Sequence, residues 1–156
     1  MLGVFVFSVL LNMAMSGVIE NPVSLMCLNC MCKVATTSCT DVGCNHDREG
    51  IACGYYQIHY GYYIDCYKPV PESGCRGLSE QECWMKCSRD KPCAERCIQS
   101  YMLRYRNKNG AGSDCESYVR LHAGGPYGAA KWNQAWYNRT SYYWNYARAY
   151  GCVWNS

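Results

Sequence analysis

Apolar and polar positions divide the chain into an N-terminal apolar run, several short helical stretches and polar, glycine-punctuated connections. Gly3 to Leu11 is apolar apart from Ser8, and the small residues Ala14, Ser16 and Gly17 follow. That order predicts a secretory signal over residues 1–17, cleaved at about Ser16 to Val18. The run is too short to span a bilayer comfortably. No later segment is apolar enough to be transmembrane.

Ser24 can cap a helix that carries Leu25, Leu28 and Met31, with Cys27 and Cys30 on one face. Thr36 to Gly50 is polar and reads as loop or a small β-element. Tyr55 to Tyr60 alternates weakly, as a strand or an extended wall would. Tyr67 to Gly77 holds two prolines and two glycines and reads as loop. Ser79-Glu80-Gln81-Glu82 is a capping box that starts a helix with Cys83 and Cys87 one turn apart. Asp90 and Pro92, the latter at the first helical position, open the next helix, with Cys93, Cys97, Tyr101 and Tyr105 at i, i+4 steps. Asp114 can cap Cys115 to His122, ended by Gly124-Gly125-Pro126, and a last helix spans about Ser141 to Tyr150. The pattern gives an α+β fold, mostly helical, in a single domain with little sheet.

Cysteine alters this picture most. Fourteen of 156 residues are Cys, an even number, and exported chains meet conditions in which cysteines pair. His46, His59 and His122 are dispersed and form no zinc-ligand pair. The reading is therefore a disulfide scaffold with no metal and no cofactor. Spacing alone leaves the connectivity open. The net charge of +3 is mild and the basic residues are scattered, which does not support nucleic-acid binding but suits anionic surfaces such as bacterial walls. Tyrosine (15) and tryptophan (5) far outnumber phenylalanine (2); aromatics with a polar tip line wet clefts and also fill cores.

The ordered motifs are Cys27-Leu-x-Cys30-x-Cys32, Gly43-Cys44-x-x-Asp47, Cys53-Gly54-Tyr55-x-Gln57-Ile58 and Tyr63-Ile64-Asp65-Cys66. Cys87, Cys93 and Cys97, Tyr101-Met102-x-Arg104-Tyr105, Arg120-x-His122-x-Gly124-Gly125-Pro126 and Tyr143-Trp144 follow. From Cys27 to Cys152 the chain resembles the invertebrate-type lysozyme family, which includes the destabilases. The resemblance implies a two-lobed, disulfide-rich lysozyme-like domain over residues 27–152. It implies hydrolysis of the β-1,4 link between N-acetylmuramic acid and N-acetylglucosamine in peptidoglycan, hence a secreted protein of bacterial defence.

Glycoside hydrolysis uses two carboxyls flanking the bond, one a proton donor and one a nucleophile or charge stabiliser. By the resemblance, Asp47 is the second. The first is a Glu in a pattern like Cys-x-x-Glu-Ser-x-Cys. Here Cys32 to Cys39 is one residue longer, and the acid's place falls on Ala35 or Thr36. Neither can donate the proton. The expectation is a binder of peptidoglycan or a related amino-sugar glycan with weak or no hydrolysis. The alternatives are a hydrolase using Asp41 or Glu49 instead, and a partner-binding scaffold. The isopeptidase positions reported for some members fall on Gly50, Ala52 and His59, without the serine hydroxyl that a nucleophile needs.

The resemblance also implies that His59, Tyr60, Gly61, Tyr62, Tyr63, Ile64, Asp65, Tyr101, His122, Ala123 and Gly124 border bound sugar. Read on their own, the tyrosines serve equally as core, and His122 as a helix C-terminal residue. All of Cys27, Cys30, Cys32, Cys39, Cys44, Cys53, Cys66, Cys75, Cys83, Cys87, Cys93, Cys97, Cys115 and Cys152 are expected in disulfides. Two family cysteines lack counterparts, one at Ala129, while Cys75 and Cys83 are additional; the resemblance thus implies a Cys75–Cys83 bond. Asn138-Arg139-Thr140 is a glycosylation sequon.

Overall fold

A computed structural model describes residues 20–152; the expected signal segment lies outside them. The order is α1 (Leu25–Thr36), β1 (Cys44–His46), β2 (Ile51–Cys53), β3 (Ile58–His59), α2 (Tyr60–Asp65), α3 (Glu80–Arg89), α4 (Lys91–Tyr105), α5 (Cys115–Gly124), a 3-10 turn (Gly125–Tyr127) and α6 (Gln134–Ala149). No described helix is long and apolar enough to cross a membrane.

Short-range capping chemistry starts most helices where the sequence puts them. The Cys27 N–H donates to Ser24 Oγ, and both halves of the Ser79/Glu82 capping box form. Asp90 closes α3 and caps α4 by accepting from the Cys93 N–H, and Asp114 accepts from the Ser117 N–H at α5. Each cap is worth about 1 kcal/mol.

Four boundaries differ from expectation. Lys91 precedes Pro92 at the start of α4, so proline is the second helical residue. α5 continues to Gly124. α6 starts at Gln134, where Asn133 accepts from the Trp136 N–H, seven positions before Ser141. The expected Tyr55–Tyr60 strand shrinks to Ile58–His59, and the chain turns helical at Tyr60. Gln57, at φ +50°, breaks the extended run. α2 has no side-chain cap. Contacts outside the helix hold it: Tyr63 is buried and donates to the Pro69 carbonyl, and Cys66 is bonded to Cys97 of α4.

The antiparallel sheet runs β1-β2-β3, with Cys44 opposite Cys53 and disulfide-bonded to it. Gly54, at φ +75°, seats the sheet on α3. A Cβ there would strike the Ser88 carbonyl, so only glycine allows the approach.

α1 buries Cys27, Leu28, Cys30, Met31 and Cys32 in a core shared with Tyr56, Ile58, Trp84, Ile98, Met102 and Leu121. α5 and α6 are pegged by Arg120, which is 4% exposed. Its guanidinium donates to Glu116, Thr140, Ser141 and the Tyr137 carbonyl and lies 3.9 Å from the Tyr137 ring centroid. That satisfies the buried charge.

All fourteen cysteines are paired, as Cys27–Cys115, Cys30–Cys152, Cys32–Cys39, Cys44–Cys53, Cys66–Cys97, Cys75–Cys83 and Cys87–Cys93. The Cys75–Cys83 bond is the one expected. Cys30–Cys152 ties the last described residue, just beyond α6, to α1.

Candidate functional site

A cavity of about 910 Å³ opens among these elements. α1 contributes Met31, Val34 and Ala35, and the β1–β2 turn contributes Asp47, Arg48 and Glu49. His59, Gly61, Tyr62 and Asp65 reach it from β3 and α2, Tyr101 from α4, and Val119, His122 and Ala123 from α5. Arg139, Tyr142 and Tyr143 of α6 complete the rim with Gly125 and Pro126.

Asp47 is fixed by the turn it makes. Its N–H donates to the Gly50 carbonyl, and its Oδ1 accepts from the N–H groups of Glu49 (2.8 Å) and Gly50 (3.1 Å). Its Oδ2 lies 3.0 Å from His59 Nε2. The carboxylate is half-exposed, aimed by three donors and open to the cavity. Such backbone contacts orient a charge without adding bulk.

The aromatic lining is equally constrained. Tyr62 and Tyr101 stack at 3.6 Å with planes 9° apart, joining α2 to α4. His122 Nε2 is 2.8 Å from the Tyr56 carbonyl. A carbonyl only accepts, so Nε2 carries the proton, and Nδ1 is left to accept from the Tyr62 hydroxyl at 3.3 Å. Burial pushes the His122 pKa down to about 4, against the pull of the Tyr56 hydrogen bond and helped by nearby His59. The ring is neutral at physiological pH. Burial raises the Tyr62 and Tyr101 hydroxyls well above their ordinary range, so both stay protonated. Asp65 Oδ2 accepts from the Tyr105 hydroxyl at 2.9 Å, with Arg104 3.6 Å from Oδ1.

The cavity therefore gathers Asp47, His59, Gly61, Tyr62, Asp65, Tyr101, His122 and Ala123 from the expected set. It does not reach Tyr60, Tyr63, Ile64 or Gly124. Tyr60 turns to Glu80 through its hydroxyl and packs on Trp84. Tyr63 is core, and Ile64 faces solvent. Gly124 backs onto Thr140, where a Cβ would collide. The helical path of α2 explains this division, because Gly61, Tyr62 and Asp65 share one face and Tyr63 takes another.

Of the two positions at the expected place of the acid, Ala35 lines the cavity and Thr36 does not. The Thr36 hydroxyl is shared between the carbonyls of Cys32 and Tyr55. The lining carboxylates are Asp47, Glu49 and Asp65. Glu49 sits on the Asp47 turn and is paired with Arg139 at 2.6 Å. Asp41 lies outside the cavity, with Oδ2 2.9 Å from Arg89 Nε and Oδ1 accepting from the Gly43 N–H. Gly50 and Ala52 bring no hydroxyl beside His59. Among the described residues no group of three His, Cys, Asp or Glu side chains is placed to hold a metal. Asn138 is exposed on α6 and accepts from Gln134, while Thr140 of the same sequon is buried.

Sequence reasoning missed Arg139, Tyr142 and Tyr143. Their i, i+3 and i, i+4 spacing was visible, but it points at the cavity only once α6 starts at Gln134 and docks on α5.

Residues 24–149 match the Destabilase family. A lysozyme of Ostrea edulis is 38% identical over 138 residues, 88% of each chain. Invertebrate-type lysozyme 6 of Caenorhabditis elegans is 40% identical over 129 residues, 81% of this chain and 86% of that one. The crystal structure of Tapes japonica lysozyme superposes with a TM-score of 0.68 at 36% identity, covering 82% of this chain and 90% of that one. On fold and sequence alike, the chain belongs to the destabilase family of invertebrate-type lysozymes.

Proposed function

We propose that this protein is secreted and binds peptidoglycan, or a related amino-sugar glycan, in the cleft, with weak or no hydrolysis, as a recognition protein of bacterial defence. The signal-like leader and the disulfide scaffold support export, and the relatives named lysozyme supply the substrate class. The observation that carries the reading is Ala35. α1 presents only Met31, Val34 and Ala35 to the cavity, so the wall expected to bring the proton donor brings none.

Tyr142 supplies an exposed ring face suited to pyranose C–H surfaces, Tyr62 stacked on the buried Tyr101 gives the cavity a rigid aromatic wall, and Asp65 and His59 supply hydrogen-bonding groups. Asp47 can stabilise positive charge at a ring carbon. Alone it cannot protonate the leaving oxygen, a step worth about 10²–10⁴-fold.

Glu49 is the carboxylate that a substitute mechanism would use. It is a poor donor because it shares a turn with Asp47 rather than facing it, and its oxygen is held by Arg139. The two carboxyls of a glycosidase must stand about 5–9.5 Å apart across the bond.

Co-sedimentation with insoluble peptidoglycan, read beside clearing of the same suspension, tests this function. Pelleting without clearing is expected. Clearing that disappears in Asp47→Asn refutes it. Neither pelleting nor clearing favours a scaffold that binds another partner.

A further inference from the structure

α6 carries aromatic rings past the end of the cavity. Tyr142 and Tyr143 line the cavity; Tyr146 and Tyr150 follow one and two turns later on the Tyr142 stripe and lie outside it. Tyr142 is 68% exposed and leaves its ring accessible at the cavity rim. The Tyr142 and Tyr146 planes are 7° from parallel with centroids 6.2 Å apart. Tyr146 and Tyr150 meet edge to face at 5.0 Å, joined by a 3.1 Å hydroxyl contact. Tyr150 is partly buried against the core and braces Tyr146, which in turn orders Tyr142. From Thr140 to Ala147 the helix carries no charge.

We propose that Tyr142 and Tyr146, the latter braced by Tyr150, form a stacking track that continues the cleft and binds further sugar units of a β-1,4-linked amino-sugar strand outside the cavity. This rests on the glycan-binding reading of the cleft. Three features select a glycan as occupant. The track is continuous with the cavity through Tyr142 and Tyr143. It offers one ring per helical turn, about 5.4 Å, a step on the scale of one pyranose unit. It pairs apolar ring faces with hydroxyl tips and no ionic group, which matches a neutral polyhydroxylated chain. The consequence is a preference for long strands, so a polymeric wall is bound more tightly than its short fragments.

The test is calorimetric titration of the mature chain with a length series of chito-oligosaccharides. Affinity is expected to keep rising with length after the cavity is filled. Tyr146→Ala should leave affinity for the shortest binding oligomer unchanged and weaken the longest about 2- to 10-fold, the worth of one aromatic contact. Tyr146→Phe, which keeps the ring, should retain the parent's length dependence. The unchanged short-oligomer affinity also certifies that Tyr146→Ala is folded.

Affinity independent of length overturns the track and leaves the cleft reading standing. Equal weakening of short and long oligomers by Tyr146→Ala overturns it too. So does a loss in Tyr146→Phe as large as in Tyr146→Ala, which would assign the effect to the Tyr150 hydroxyl contact. A concentration-dependent dimer abolished by Tyr146→Ala would give this face to a second copy of the chain. Failure of the parent to bind any oligomer refutes the cleft reading and the track together.

Discussion

Restoring one carboxyl at Ala35 should convert the protein toward a working muramidase. Position 35 is the penultimate residue of α1 and lines the cavity that holds Asp47. Ala35→Glu costs a few tenths of a kcal/mol in helix propensity. An acid in the last turn costs about 0.3–1 kcal/mol against the helix dipole. Together these are about 1 kcal/mol, small beside the ~5–15 kcal/mol of a typical domain, in a chain with seven disulfides. Among Met31, Val34 and the neighbouring rings the new carboxyl would be partly desolvated, which raises its pKa as an acid catalyst requires. The gain should be about 10²–10⁴-fold in rate, or about 3–5 kcal/mol off the barrier. The assay is clearing of a peptidoglycan suspension by Ala35→Glu, with Ala35→Glu/Asp47→Asn as the control that should lose the gain. Thr36→Glu is the matched negative. Thr36 points its hydroxyl at the Cys32 and Tyr55 carbonyls and not into the cavity, so its substitution should gain nothing. A folded Ala35→Glu that binds glycan like the parent yet clears no faster would refute the reasoning, as would a gain in Thr36→Glu alone.

Two further outcomes follow from the interior. His122 has its folded pKa lowered to about 4 from an ordinary value near 6.5. Between those values the unfolded chain binds the extra proton, so this contribution to stability is complete above about pH 6.5 and is lost as pH falls toward 4. It amounts to at most about 3 kcal/mol, and the slope of denaturation midpoint against pH in that window should flatten in His122→Gln; an unchanged slope would contradict it. Thiol titration of the unreduced mature protein should read zero in denaturant, and peptide mapping should recover a Cys75–Cys83 link; a reactive thiol would contradict the pairing.

What the sequence made legible was short-range. Ser24, Ser79, Asp90 and Asp114 each cap a helix through contacts a few residues away, so their positions declare the element. α2 was not legible because nothing local starts it; burial of Tyr63 and the bond from Cys66 to Cys97 impose the helix. The α6 start had a local signal in Asn133, masked by the aromatic residues that follow. The same division holds at the site. Asp47, in the β1–β2 turn, and His59, on β3, lie close in the chain and are brought together by one small antiparallel sheet. Tyr60, Tyr63 and Ile64 leave the cavity because a helix sends neighbouring side chains to different faces. Arg139, Tyr142 and Tyr143 enter it through the docking of α6 on Arg120, a contact between residues far apart in the chain.

Binding retained without a proton donor has a distinct signature in solution. Its most direct measurement is the release of reducing ends from insoluble peptidoglycan, with the bound fraction of the unmodified protein determined in the same tubes. A large bound fraction is expected, with reducing ends no higher than those of Asp47→Asn. A bound protein that releases reducing ends well above Asp47→Asn would contradict it.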